Sequence, residues 1–361
     1  MSPGRRTGAA NLPLHGGKAP PWLFQRMVRL SRAILAHMSS EHGPDEVLRR
    51  LSDPFWFQAL GCVLGFDWHS SGVTTTTCGA LKEAVRGSER NLGLWVAGGK
   101  GQTSRRTPAE IAAACETTGQ DGDALVRASK LAAKVDNTAV QSGHQLYHHS
   151  FFLTAGGRWA IVQQGMRASD RTARRFHWLG ERVESFVEEP HAAVCADRRG
   201  EEVLNLVAAE SAPARTRIAE LVREMPPDEV LDLPRRHPLI AQEDVNGRFL
   251  RKVLLQTYEN PPEDFEALLG TPGLGPKTLR SLALVAELVY GTPASTRDPA
   301  RFAFAHGGKD GTPFPVDRIT YDKTIEILNK AINRASIDRT EKVHAFRRLA
   351  RFDSRPATPD S

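Results

Sequence analysis

The stretch TPGLGPKTLRSLALV, Thr271–Val285, limits the fold more than any other part of this chain. Before it, Phe265, Leu268 and Leu269 recur at helical spacing. After it, Leu279, Leu282, Ala283, Val285, Ala286 and Val289 do so again. Between the two runs stand Pro272, Gly273, Gly275 and Pro276, too few residues for anything but a tight turn between two helices. Glycine accepts positive φ and lets a second backbone come close. The second helix starts with Pro276, Lys277 and Thr278, and its first N–H groups have no partner within the helix. Such an end favours an anion, and Lys277 adds a cation there. The same residues also serve a plain αα-corner whose glycines are used only for packing.

A chain of 361 residues is expected to form about two domains. Its net charge of +6, with a pI near 9.3, is compatible with a polyanionic partner. No apolar run is long enough to span a membrane. The first twenty residues carry two arginines but no apolar core like that of a signal peptide, so a cytoplasmic protein is expected. Cys62, Cys78, Cys115 and Cys195 form no Cys-x-x-Cys pair. Buried free thiols in a reducing compartment follow, rather than a zinc or iron–sulfur site.

The apolar spacing of Leu23, Met27, Leu30, Ile34 and Leu35 opens a helical region. Asp53 and Pro54 read as the cap and first turn of another helix, SSGVTTTT as a Ser/Thr-rich break, and Thr107, Pro108 and Glu110 as a further helix start. The texture changes at residue 144. Alternation around Ala155-Gly156-Gly157 predicts a β-hairpin, Tyr147–Thr154 with Arg158–Gln164. SFVEEPHAAVCA and EEVLNLVA are candidate strands, and SAPARTRIAELVREM returns to helix. A Pro-rich polar stretch at 225–238 reads as a boundary. The expected fold is mixed α+β, mostly α. An N-terminal α+β domain, 5–225, holds helices and a small antiparallel hairpin or sheet. A C-terminal all-α domain, 226–335, carries the helical hairpin at 262–291. A terminal extension, 336–361, ends in a tail of disordered composition.

Gly-x-Gly-x-Lys-Thr between two amphipathic helices resembles the helix-hairpin-helix motif, which binds nucleic-acid backbone without reading bases. That resemblance implies contacts from Gly273, Gly275, Lys277 and Thr278. In DNA glycosylases of the endonuclease III type, the lysine of this loop attacks the sugar carbon of a flipped-out nucleotide. It expels the base and forms a Schiff base that lets the strand be cut. Val316-Asp317, before an amphipathic run with Ile319, Ile325 and Leu328, is similar to the aspartate segment of that family. The resemblance thus implies Lys277 as nucleophile and Asp317 as the anion beside it, acting on damaged or abasic DNA. It implies no required cofactor, with a monovalent cation at the hairpin compatible with the motif. Two features depart from the family. The interval from Lys277 to Asp317 is longer, and no four-cysteine cluster follows. A non-catalytic DNA clamp therefore stays open, with Lys277 a phosphate contact and Asp317 a helix cap.

Two nearly identical loops, His15-Gly16-Gly17-Lys18 and His306-Gly307-Gly308-Lys309, offer backbone N–H groups beside a cation and are candidate phosphate nests. Gly98-Gly99-Lys100 is a third relative. Asp136, Asn137, His148 and His149 form a candidate second polar site. They are the basis of a further alternative, a divalent-metal nuclease with its site in the N-terminal half. Neighbours on a strand face opposite ways, so His148 and His149 do not share one metal easily. An RNA-processing role is the remaining alternative.

The whole chain, from about Arg6 to Ile332, resembles one prokaryotic, largely archaeal family without an assigned function. The resemblance rests on RTG-x-A-x-LPLHGGKAP, DPFWFQALGCVLGFDWHSSGVTTT, AKVDN, YHHSFF, SFVEEPH, G-x-GPKTLR-x-LALVAEL and DPARF-x-FAHGGKDG-x-PFPVDR. It implies one integrated protein rather than two fused modules.

Overall fold

The computed structural model describes residues 19–65, 72–170, 172–196, 202–224, 255, 257, 259–301 and 318–353. Helices α1 (Pro21–His42), α2 (Pro44–Ser52), α3 (Pro54–Leu64) and α4 (Gly72–Val85) come first, then the single turn α5 (Glu89–Leu92). Strand β1 (Leu94–Lys100) leads into α6 (Thr107–Thr118) and α7 (Gly122–Lys134). A π-turn, Val135–Ala139, follows, and then the short β2 (Val140–Gln141). Strands β3 (Gln145–Thr154), β4 (Trp159–Arg167), β5 (Thr172–Leu179) and β6 (Ala193–Ala196) complete an antiparallel five-stranded sheet in the order β1-β3-β4-β5-β6. β7 (Leu204–Asn205) pairs with β2, and α8 (Ala212–Glu224) follows. Beyond it lie α9 (Phe265–Gly270), α10 (Pro276–Tyr290), α11 (Arg318–Arg334) and α12 (Arg339–Asp353).

The sheet separates two apolar cores, because successive side chains on a strand point to opposite faces. Phe151, Leu153, Ile161, Phe176 and Trp178 join the core built with α6, α7, α8, α9 and α10. Phe152, Ala160, Val162 and Leu179 join the core built with α1 to α4, α11 and α12. The molecule is thus a mixed α/β structure with helices on both faces of an antiparallel sheet. The expected β-hairpin is its β3–β4 pair, with Phe151 opposite Ile161. It lies inside the small antiparallel sheet, between β1 on one side and β5 and β6 on the other.

Some local expectations need correction. From Gly72 on, the Ser/Thr run is helical, with Thr74 and Thr77 buried inside α4, while Ser70 and Ser71 lie outside the described residues. The packing of α3 on α4 explains it, since Gly61 has no room for a side chain and a Cβ there would lie 2.5 Å from Val73 Cγ2. The Gly98-Gly99-Lys100 stretch is the end of β1, not a loop. Gly98, at φ +87, is required there: an added Cβ would stand 2.2 Å from the His149 carbonyl oxygen. Helix α6 starts at Thr107, as expected, with Glu110 in its first turn. Glu110 Oε2 accepts from Gly98 N at 2.7 Å and from Lys82 Nζ at 2.6 Å, and so covers the free edge of β1. Strand β5 escapes the alternation rule because Ala173 to Leu179 are all buried, including Arg174, Arg175 and His177.

The hairpin helices do not stand apart from the sheet. Phe265, Leu268, Leu269, Leu274, Leu279 and Leu282 belong to the same core as Phe151 and Trp178. One core therefore runs across the boundary expected near residue 225. The expected extension holds a helix, α12, whose Ala345 and Leu349 are buried in the core of α1 to α4. The Pro-rich boundary itself, 225–238, and the tail beyond 353 lie outside the described residues.

Candidate nucleic-acid interface

The hairpin is built as its sequence requires. Asp264 caps α9, its side chain accepting from Ala267 N at 2.8 Å. Leu274 N donates to Thr271 O at 3.3 Å and closes the turn. Gly273 sits at φ +84, in the left-handed region. An added Cβ at Gly273 or at Gly275 would meet nothing within 4 Å, so the backbone of the corner is laid open. Gly275 caps α10 and Pro276 occupies its first turn. Lys277 is exposed. Thr278, the next residue of α10, is buried.

The corner is held from beneath by residues far away in sequence. The Leu274 side chain is buried in the core. Lys134 Nζ, at the end of α7, donates to Leu274 O at 2.5 Å. Burial lowers the pKa of that ammonium from its usual value. Gln141 Nε2 donates to Pro276 O and to Thr138 O, both at 2.9 Å, while its Oε1 accepts from Arg280 Nε at 2.8 Å.

Lys134 and Gln141 flank the π-turn that carries Asp136. This carboxylate is fully buried and joins a polar network on the hairpin side of the sheet. Asp136 Oδ2 accepts from Gln163 Nε2 at 2.6 Å and from Trp178 Nε1 at 2.9 Å, and its Oδ1 pairs with His191 Nε2. Gln163 Oε1 meets His149 Nδ1 at 2.7 Å, and His149 Nε2 meets Ser129 Oγ at 2.8 Å. Gln163 spends its amide nitrogen on Asp136, so its oxygen is the acceptor and His149 carries its proton on Nδ1. Burial pushes the His149 pKa down to about 4 and raises that of Asp136. The neutral imidazole is fully satisfied.

The structure thus joins two members of the expected second site, Asp136 and His149, through Gln163. It separates the other two. His148 points to the opposite face, with Nε2 3.1 Å from Ser150 Oγ, and burial brings its pKa to about 3. Asn137 Oδ1 accepts from Leu146 N at 3.0 Å. Among the described residues no three His, Cys, Asp or Glu side chains are placed to hold a metal ion. His191 is the member that sequence reasoning missed. It arrives on a loop whose Glu189 holds φ +43, the one non-glycine residue with positive φ among those described. Only the adjacency of Glu189, Pro190 and His191 in SFVEEPH hinted at a constrained turn.

Asp317, His306, Gly307, Gly308, Lys309, His15, Gly16, Gly17 and Lys18 lie outside the described residues. A cleft of about 630 Å³ opens elsewhere, along the free edge of β1 beside Arg86, Arg90 and Trp95, and contains none of the candidate residues. No helix among the described residues is long and apolar enough to cross a membrane.

Comparison with known proteins returns no matching curated protein and no matching solved structure. A family model described as "Protein of unknown function (DUF763)" matches residues 8–316. It spans the sheet, α1 to α10 and the hairpin, and the chain belongs to this family.

Proposed function

We propose that this chain binds DNA through the backbone of its hairpin, Thr271–Arg280. One observation carries the reading: a side-chain-free corner at Gly273 and Gly275 opens directly onto the N-terminus of α10, with Lys277 exposed beside it. Amide groups at a helix N-terminus and an adjacent cation suit a phosphate group, and a contact of this kind reads no base. The net charge of +6 acts in the same direction at longer range.

The catalytic extension of this reading is a glycosylase or AP-lyase resembling the endonuclease III type, with Lys277 as the amine and Asp317 as its companion. An amine nucleophile has to be neutral when it attacks. Lys277 is exposed in the free protein, so the desolvation must come from the docked DNA.

Binding is tested by fluorescence anisotropy with a duplex of mixed sequence and its RNA counterpart. Log Kd is expected to rise linearly with log salt, and Lys277→Ala to lower that slope by about one. Absence of binding to DNA at low salt overturns the proposal, and a preference for the RNA duplex transfers it to RNA. Borohydride trapping on a duplex with one abasic site tests the chemistry. A covalent adduct that disappears in Lys277→Ala establishes the lyase. No adduct with binding intact makes Lys277 a phosphate contact.

A further inference from the structure

We infer that Lys134 and Gln141 are positioning residues of the hairpin, holding two of its carbonyl groups inward so that the paired N–H groups face the nucleic acid. This role rests on the backbone-binding reading of the hairpin and falls to residues outside the motif itself.

Peptide geometry links the carbonyls to the amides. In a trans peptide the C=O of one residue and the N–H of the next point in opposite directions. Lys134 Nζ holds Leu274 O at 2.5 Å from the α7 side, which turns the Gly275 N–H away from the body of the protein. Gln141 Nε2 holds Pro276 O at 2.9 Å, which fixes the Lys277 N–H in the same manner. The glycine corner needs such help. Gly273 and Gly275 have no side chain to restrain them, and a glycine pair visits many backbone conformations of similar energy. Leu274, between them, is anchored by its buried side chain, but a side chain does not fix the plane of the peptide that follows it.

The two anchors are themselves held. Gln141 cannot turn its amide over: its nitrogen serves Thr138 O and Pro276 O, and its oxygen accepts from Arg280 Nε. Lys134 and Gln141 flank the π-turn that the Asp136 network fixes against the sheet. A backbone site preorganised in this way does not have to order its amides when the phosphate arrives.

The test compares wild type, Lys134→Met, Lys134→Arg and Gln141→Leu by anisotropy with one mixed-sequence duplex over a range of salt. The thermal midpoint of each variant is recorded so that only folded protein is compared. Lys134→Met is expected to weaken binding about tenfold, the order of one charge-assisted hydrogen bond, with the slope of log Kd on log salt unchanged. Lys134→Arg, which keeps a donor at that carbonyl, is expected to recover most of the affinity. Gln141→Leu is expected to weaken binding in the same way. In the free protein, the Gly275 amide resonance is expected to move in Lys134→Met and to return toward its wild-type position in Lys134→Arg.

Wild-type binding with unchanged affinity in both Lys134→Met and Gln141→Leu overturns the inference and leaves the hairpin reading standing. A salt slope lowered by about one in Lys134→Met also overturns it, because Lys134 is then a phosphate contact and not a positioning residue. Failure of wild-type protein to bind at low salt removes the hairpin reading itself. The Gly275 resonance then still reports whether Lys134 orients the corner.

Discussion

Two glycines show how differently the same residue acts at two sites. Gly98 and Gly273 both hold positive φ, at +87 and +84. A Cβ on Gly98 would collide with the His149 carbonyl at 2.2 Å, and that backbone belongs to the interior strand β3. Gly98→Ala is expected to cost more than about 3 kcal/mol, through both strain and displacement of the strand. A Cβ on Gly273 meets open space, so Gly273→Ala carries only the left-handed penalty of about 1–2 kcal/mol. Thermal unfolding of the two variants separates them, and equal losses would contradict the geometry. His149 provides a second prediction at this scale. Its folded pKa, about 4, lies below the ordinary 6.5, so the unfolded chain binds more protons between these values. Stability is therefore fully present above pH 6.5 and declines as the pH falls toward 4, by of order 3 kcal/mol for this residue. His149→Gln is expected to flatten that acid limb in denaturant titrations at stepped pH. An unaltered limb would mean that His149 is not held neutral.

At the scale of elements, the glycine corner of the hairpin is tethered by one apolar side chain. Leu274 is buried in the core shared with Leu269 and Leu279, although it sits in a turn between two glycines. Leu274→Ala is expected to cost about 2–5 kcal/mol, as for other buried leucines. DNA affinity should fall by more than it does in an equally destabilising variant remote from the corner, such as Leu81→Ala in α4. Parallel losses would show that the tether acts on stability alone. The elements also show what was legible beforehand. The β3–β4 hairpin was readable because Ala155-Gly156-Gly157 separates two alternating runs. The helix starts at Asp53 and Thr107 were readable from their own residues, and the Asp53 side chain does accept from Phe55 N and Trp56 N. Strand β5 was not, because alternation marks a strand only when one face meets water, and here both faces are covered. The first turns of α4 do not show in their residues because threonine lowers helix propensity in isolation, whereas burial of Thr74 and Thr77 overrides it.

Across the whole molecule, distant contacts bind the hairpin region to the sheet. Arg174 on β5 donates to Asp298 Oδ2 at 2.6 Å, with both side chains almost wholly buried. This pair ties the segment after α10 to β5, and Asn205 N of β7 also donates to Ser295 O of that segment at 2.8 Å. Removing one partner strands the other charge in an apolar setting. Asp298→Ala is therefore expected to cost about 3–5 kcal/mol, while the double change Arg174→Met with Asp298→Leu restores much of it. Urea unfolding of both proteins checks this. A double variant no more stable than Asp298→Ala would show that the pair contributes more than mutual neutralisation.

The sequence by itself determined the features that depend on neighbours in the chain. These are the glycine corner and its two helices, the β3–β4 hairpin, the helix caps and the positive net charge. Each is set by backbone sterics, periodicity or local hydrogen bonding within a few residues. Tertiary structure alone decided which distant groups meet. Lys134 reaches Leu274 across 140 positions, Asp136 meets His191 across 55, and Arg174 finds Asp298 across 124. No local spacing encodes such pairs, because they follow from how two helical layers close on the faces of one sheet. The candidate backbone site shares this origin. Its amides come from the hairpin, but their orientation comes from α7 and β2, which packing places beneath it.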